Sequence, residues 1–455
     1  EGMWVPAGIT EVKATLKLYY VMGLWMGFWG ACRPGRGTIV GLCDHSYLQF
    51  FLDGGAHGQR WTPEWLRDPD GKSLEFEIAC IDGECPLDAA KYFRTHELRV
   101  KRLMPLTRRV GRLPALRNLI GGANIKFVNY VHRAKREGGP DHLPAPESLR
   151  KVYKFADVAQ TCRRLKDSGI DRAMAIFWGW GVEGYDRRHP DFLPANAWAG
   201  GDVGLKRASR KIRDLGFTVG GHDNYQDIYQ NAPSFGKGEA VCETADGKLQ
   251  FGGVWAGGRC YILCSAEQLR YARRNLPDMK NRYGWNALFV DTITAAHLYE
   301  CYSAVHPRTR RDDRLDKQKL MDESRALFGV FGSEAGFSWG AEHMDYWEGI
   351  LIPTFAASGL HWWGENMGAR VLPIAGTVYR DILLAYQHQS QGLHPDRPAQ
   401  FLASLRSAQP PFYFFDEGFY PAYADYVERS YAVLAHLHRA TADEIVVDHS
   451  WLSAD

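Results

Sequence analysis

Asp291 and Glu334 each close a short apolar run, Asn286-Ala287-Leu288-Phe289-Val290 in one case and Leu327-Phe328-Gly329-Val330-Phe331-Gly332-Ser333 in the other. A carboxylate at the end of an apolar strand is where a barrel enzyme keeps its working groups. Two of them at the ends of successive strands would lie on neighbouring edges of one mouth. That pair can cleave a glycosidic bond: one carboxylate attacks the anomeric carbon, and the other group protonates the leaving oxygen and then acts as base toward water. Carboxyl groups roughly 5–5.5 Å apart suit a retaining mechanism, and groups roughly 6.5–9.5 Å apart an inverting one. A helix N-cap or a structural ion pair explains a single such Asp equally well. The repetition at two strand ends favours catalysis.

Other strand ends carry the polar and aromatic residues that a sugar pocket needs. One reads Trp178-Gly179-Trp180-Gly181 and leads to Gly184-Tyr185-Asp186, and another reads Gly221-His222-Asp223-Asn224-Tyr225. Trp178, Trp180 and Tyr185 are candidates to wall a sugar subsite, with Trp362, Trp363 and Glu365 on its far side. Trp178 serves equally well as a cap on a barrel core. Asp186, His222, Asp223 and Tyr225 are candidates for hydroxyl recognition. Metal-assisted hydrolysis is the competing chemistry, with His222, Asp223, Asp227 and His189 as conceivable ligands, but no His-x-x-x-His spacing occurs. A structural role for His222 stands beside the functional one. No Gly-x-Ser-x-Gly elbow is present for a serine nucleophile.

The elements that must position these residues follow a strand–helix rhythm. The helix carrying Phe155, Val158, Ala159, Cys162 and Leu165 on one face precedes the strand at 171–178. Further strands are expected at 217–219, 260–263, 286–290, 327–331, 350–352 and 370–374, and an eighth at 411–415, before a helix with Val427, Tyr431, Leu434 and His438 inward. The fold class is therefore α/β, a (β/α)8 barrel over residues 150–440, with a short extension at 441–455. No glycine-rich phosphate loop follows the first strand, which counts against a dinucleotide fold. Residues 1–87 read as strands and turns of an antiparallel sandwich. Strands are expected at 38–42, 46–52 and 74–78, and Asp70-Gly71 is a hairpin signal. Residues 88–149 read as a basic helical linker with a solvated face.

The 55 basic and 53 acidic side chains, net charge +2, give no electrostatic reason to expect nucleic acid or an anionic membrane as a partner. No window approaches the roughly 18 apolar residues of a membrane span. The apolar stretch Tyr19 to Cys32 is broken by glycines and lacks a signal-peptide cleavage pattern, so the reading is of a soluble chain. Its start, Glu1-Gly2-Met3, does not look like a natural one. Fifteen Trp and 22 Tyr fit either a large aromatic core or a concave sugar-binding surface. The nine cysteines show no zinc-finger spacing: Cys80 and Cys85, or Cys260 and Cys264, have no matching pair nearby. They read as buried thiols, with a disulfide as the lesser alternative.

At these motifs the sequence resembles glycoside hydrolase family 129 and, more distantly, family 101, the endo-α-N-acetylgalactosaminidases. The resemblance rests on Leu119-Ile120-Gly121-Gly122-Ala123-Asn124-Ile125-Lys126-Phe127, on Leu165-Lys166-Asp167-Ser168-Gly169-Ile170-Asp171-Arg172-Ala173, on Gly184-Tyr185-Asp186 with Pro190-Asp191, and on Gly221-His222-Asp223, Val290-Asp291-Thr292 and Ser333-Glu334. It implies a retaining α-glycosidase with Asp291 as nucleophile, Glu334 as acid/base and Asp186 on a substrate hydroxyl. It also implies α-linked N-acetylgalactosamine as the default substrate, calcium in or near the site, and a galactose-mutarotase-like sandwich, here partial, before the barrel. Beside it stand a different sugar specificity, transglycosylation, and a barrel that binds carbohydrate without turnover.

Overall fold

A computed structural model of the chain describes residues 2–4, 16–18, 26–33, 35–43, 47–55, 58–65, 76–83, 85, 87–136, 144–349, 370–388, 392–416 and 418–449. Eight strands form one parallel sheet: β1 (Ala123–Val128), β2 (Ala173–Trp178), β3 (Thr218–Asn224), β4 (Ala287–Asp291), β5 (Val330–Glu334), β6 (Tyr346–Glu348), β7 (Leu384–Tyr386) and β8 (Phe412–Phe415). Their order, β7-β6-β5-β4-β3-β2-β1-β8, brings the last strand back beside the first, so the sheet is a near-closed TIM-type barrel.

Alternate residues of each strand divide the core in two. Met174, Ile176, Ala287, Phe289, Val330, Tyr346, Leu384, Tyr386 and Phe412 pack together inside the barrel. Ile125, Phe127, Ala175, Phe177, Val219, Leu288, Val290 and Phe331 belong to the outer core with the helices. The helix Phe155–Asp167 buries the face expected of it, Phe155, Val158, Ala159, Cys162 and Leu165. The closing helix Ala424–Thr441 likewise buries Val427, Tyr431, Leu434 and His438.

Three expectations change. The segment 88–149 is helical at Asp88–Val100 and Leu106–Val110, but it also supplies β1, so the barrel starts inside the supposed linker. The run at 260–263 is not a barrel strand. Gly258–Ile262 is the middle strand of an antiparallel sheet between Asp227–Tyr229 and Phe251–Trp255, because Trp255 turns back onto Gly258 in a tight hairpin. Arg370–Leu372 pairs antiparallel with Gly2–Trp4 rather than joining the barrel. The expected strand at 350–352 and the Asp70-Gly71 turn lie outside the described residues.

Ahead of the barrel, Phe28–Arg33, Gly37–Cys43 and Phe76–Ile81 form one antiparallel sheet, and Leu16–Leu18, Leu48–Gly55 and Gly58–Trp65 another. The helix Asp88–Val100 docks on the first through Phe93, stacked on Phe28 at 4.6 Å. It comes so close that a Cβ on Gly30 would lie 2.4 Å from the Ala89 methyl. Among the described residues no helix is long and apolar enough to cross a membrane.

Candidate active site

β4 and β5 are neighbours, paired in register through Val290 and Ser333, so the next positions, Asp291 and Glu334, sit side by side at the strand ends. Ser333 Oγ donates to the Val290 carbonyl at 2.7 Å, and Thr294 Oγ1 donates to the Glu334 carbonyl at 2.8 Å, which stitches the two ends together. The residue after each carboxylate adopts left-handed backbone, Thr292 at φ 59° and Ala335 at φ 51°. That conformation is costly for a β-branched residue, and it turns the chain off the barrel immediately beyond each acid.

Asp291 stands at the top of a buried polar column. At its base Asn124 Nδ2 donates to Glu348 Oε1 at 2.8 Å, and Lys126 Nζ contacts Glu348 Oε2 at 2.6 Å, all three side chains being buried inside the barrel. Lys126 Nζ also lies 3.2 Å from His222 Nδ1 and 3.5 Å above the Phe289 ring. An ammonium group can only donate, so Nδ1 accepts and Nε2 carries the imidazole proton. Nε2 points at Asp291 Oδ2, 3.2 Å away, and the Tyr185 hydroxyl donates to the same oxygen at 3.3 Å. Asp291 Oδ1 is buried with no hydrogen-bond partner among the described residues. Burial pushes the Asp291 pKa up, but the facing His222, its hydrogen bond and the charges of Lys126 and His388 outweigh this and hold it below the usual value. Burial, reinforced by the Lys126 charge, pushes His222 down to about 4, so the ring is neutral at ordinary pH.

Glu334 is partly exposed, and His388 Nε2 lies 2.7 Å from its Oε1. Burial acts to lower the His388 pKa, but the bond to Glu334 and the Glu334 and Asp291 charges win and raise it. Asp186 is buried with φ 55°, and its backbone lies so close to the insert after β3 that a Cβ on Gly257 would be 1.4 Å from its carbonyl oxygen. Burial first, then the charges of Asp291 and Asp227, raise its pKa well above normal. Asp227 accepts from Asn224 Nδ2 at 2.9 Å and is pushed up to about 6 by burial, with Asp291 and Glu334 adding to the rise. Four carboxyl groups thus share one field, and Asp291 is held low while Asp186 and Asp227 are raised.

The ring of Tyr185 stacks on Trp178 at 3.7 Å between centroids, and Trp178 sits edge-on to His222 and Phe414. Trp180 is placed differently from expectation: it is 2% exposed among Phe192, Tyr283 and Trp285, so no face is free for a sugar. Its Nε1 donates to the His222 carbonyl at 3.0 Å, which fixes the backbone beneath the histidine. Asp223 and Tyr225 alternate to the outer side of β3. Asp223 Oδ1 accepts from Asn224 N–H and faces His189 Nδ1 at 3.5 Å, and Tyr225 is buried against Phe192. Trp362, Trp363 and Glu365 lie outside the described residues.

His189, His222, Asp223 and Asp227 do not converge on a common point. Calcium takes about six to eight oxygen ligands, and among the described residues no three carboxylate or imidazole groups assemble for it. The residues that sequence reasoning passed over are Lys126, Glu348, Asn124 and His388. Lys126 had a signal in being a lone cation within an apolar run, and it becomes meaningful once that run is seen to be a barrel strand.

The family model for glycosyl hydrolases related to the GH101 family, GH129, matches residues 193–369. No curated protein sequence matches the chain. Among solved structures, ligand-free α-N-acetylgalactosaminidase NagBb from Bifidobacterium bifidum aligns with a TM-score of 0.82 at 21% identity, over 99% of this chain and 75% of that one. The GalNAc complex of NagBb aligns at 0.79, with 21% identity over 98% and 73%. The GH36 α-galactosidase AgaA from Geobacillus stearothermophilus aligns at 0.55, with 12% identity over 91% and 56%.

Proposed function

We infer that this chain, a GH129-related glycoside hydrolase, hydrolyses α-linked galactose-type sugars with retention, and that N-acetylgalactosamine is the sugar accepted at the cleaved bond. The carrying observation is the state of Asp291: it is held ionised, one oxygen is tethered by His222 and Tyr185, and the other is unshared. Oδ1 is then the attacking atom. It bonds to the anomeric carbon as the glycosidic C–O bond breaks, while Glu334 gives its proton to the departing oxygen. In the second half Glu334 takes a proton from water, whose oxygen displaces Asp291 from the sugar. Asp186, whose carboxyl is pushed well above the usual range by burial and then by the charges of Asp291 and Asp227, donates to a substrate hydroxyl, and Tyr185 presents a ring stacked on Trp178 as a platform for the sugar's C–H face. The choice of N-acetylgalactosamine rests on the likeness to NagBb, which is an α-N-acetylgalactosaminidase.

The test compares wild type, Asp291→Asn and Glu334→Gln on nitrophenyl α-N-acetylgalactosaminide and α-galactoside, with the first-released anomer followed by NMR. Wild type should release the α-anomer first. Asp291→Asn should abolish turnover. Glu334→Gln should lose roughly 10²–10⁴-fold on substrates with a poor leaving group and less on the nitrophenyl glycoside. Turnover surviving both substitutions would remove the mechanism, inversion would remove the covalent step, and binding without turnover would leave a sugar-binding barrel.

A further inference from the structure

We propose that Cys242, Cys264, Cys301 and His306 form a closed, four-coordinate site for a thiophilic divalent metal, zinc by preference. Three cysteines far apart in sequence bring their sulfurs within 4.8 Å of one another, and all three are buried. They form a small cluster of their own with Ile262, Ala266 and Tyr299. His306 supplies the fourth ligand. Its Nε2 lies 2.7 Å from the Glu239 carbonyl, which can only accept, so Nε2 carries the proton and Nδ1 turns its lone pair to the Cys301 sulfur, 3.4 Å away. A ring N–H anchored on a backbone carbonyl, with the other nitrogen free for metal, is the outer-shell arrangement that orients metal-binding histidines.

The dimensions fit. Zinc–sulfur bonds of about 2.3 Å set tetrahedral edges of about 3.8 Å, so the thiols need only a small inward shift. The Glu243 N–H points at Cys301 Sγ from 3.5 Å, a donor placed to stabilise a thiolate. The Cys264 thiol, 3.4 Å from the His306 carbonyl, gives up its proton when the metal binds. A disulfide would satisfy two of the three sulfurs and leave the third beside an inward-turned imidazole nitrogen. The pure S/N ligand set excludes calcium and magnesium.

The position gives the site a purpose. Cys242 and Cys264 belong to the insert after β3 that holds Asp227, with Cys264 directly ahead of the helix Ser265–Tyr283. Cys301 and His306 lie on the loop between β4, which ends in Asp291, and the helix Arg310–Phe328, where Cys301 bridges to Arg308. A metal here clips together the two segments that carry Asp227 and leave Asp291. It acts as a staple outside the carboxylate cluster, and the inference holds whether or not the proposed sugar chemistry does.

The experiment is elemental analysis of the untagged full chain, purified under reduction and without chelator. About one zinc per chain is expected from four ligands, with at least a tenfold loss of bound metal in Cys301→Ser and Cys242→Ser and none in Cys162→Ser, a buried thiol elsewhere. Wild type stripped and reloaded with cobalt(II) should show the visible bands of a tetrahedral site and a thiolate charge-transfer band. That readout needs no variant to fold. Failure of the reduced wild type to retain zinc and to give the cobalt bands would overturn the site. Two thiols fewer than the nine of the sequence on titration in denaturant, marking a disulfide, would overturn it equally.

Discussion

Replacing Lys126 by Met tests the buried column from its base. Lys126 and Glu348 are both essentially inaccessible, and their charged atoms lie 2.6 Å apart. Lys126→Met leaves a carboxyl group buried with only the Asn124 amide to bond it, and breaking such a pair costs about 3–5 kcal/mol. Glu348→Gln leaves an ammonium group buried instead, at a similar cost. The double variant Lys126→Met/Glu348→Gln removes both charges at nearly constant volume, and replacement of a whole buried pair is neutral or stabilising. Melting of the four proteins at pH 7 should therefore show two depressed singles, each down by roughly 5 °C or more at about 2 °C per kcal/mol, and a double close to wild type. The implied coupling is the sum of the two single losses, about 6–10 kcal/mol. Additive losses would refute the ion pair as the organising contact.

Activity separates the second role of Lys126. In the double variant His222 Nδ1 has lost its donor, so the ring is free to take the other tautomer and drop its bond to Asp291 Oδ2. A hydrogen bond to a charged group is worth about 1.5–3 kcal/mol, and losing it should lower kcat/KM by roughly tenfold or more although the fold is restored. Lys126 is also one of the charges that keep the Asp291 pKa down. Without it that pKa rises, and the acid limb of the kcat/KM profile moves to higher pH. A double variant with wild-type kcat/KM and an unmoved acid limb would show that the column does not govern Asp291.

Two further outcomes follow from single contacts. Tyr185→Phe removes a 3.3 Å hydrogen bond to Asp291 while keeping the ring stacked on Trp178, so kcat/KM should fall about 3–10-fold with KM little changed; an unchanged rate would mean that the bond is not made in the working enzyme. His438, far from the site, accepts the Gly121 N–H at 2.9 Å, and burial pushes its pKa down to about 3. The unfolded chain takes up a proton below about 6.5 that the native ring refuses, so stability held above that pH is lost as pH falls. Between pH 7 and 5 the loss is about 2 kcal/mol from this group, and His438→Gln should show a smaller drop in melting temperature over that interval than wild type.

The sequence made the two carboxylates legible because parallel strands buried on both faces read as unbroken apolar runs, and a polar residue stands out where the run stops. The same rule hid β1: Asn124 and Lys126 interrupt its apolar pattern within a basic stretch, so it reads as linker. It also misled at 260–263, since an apolar run looks alike whether it pairs in a barrel or folds back in a hairpin. Trp255-Ala256-Gly257-Gly258 was the local turn signal that separates the two. Trp180 shows the limit for side chains: its residue type suits a sugar wall and a core equally, and only the enclosure by Phe192, Tyr283 and Trp285 decides. The thiol cluster carries no motif, because its members come from two different strand-to-helix connections that meet only when the barrel closes.

The buried column has its own logic. An apolar barrel interior of the same volume would be at least as stable as one holding Asn124, Glu348 and Lys126, so stability does not account for the pair. What the pair does supply is a donor fixed on His222 Nδ1 from below, held in place because Glu348 and the Phe289 ring leave the ammonium group no other seat. With Nδ1 taken, Nε2 must donate upward, and Asp291 receives its bond on Oδ2 alone. The asymmetry at Asp291, one oxygen bound and one without a hydrogen-bond partner among the described residues, is thus set two residues deeper in the barrel. A neutral isostere of Lys126 would leave the carboxylate free to be bound on either oxygen or on neither.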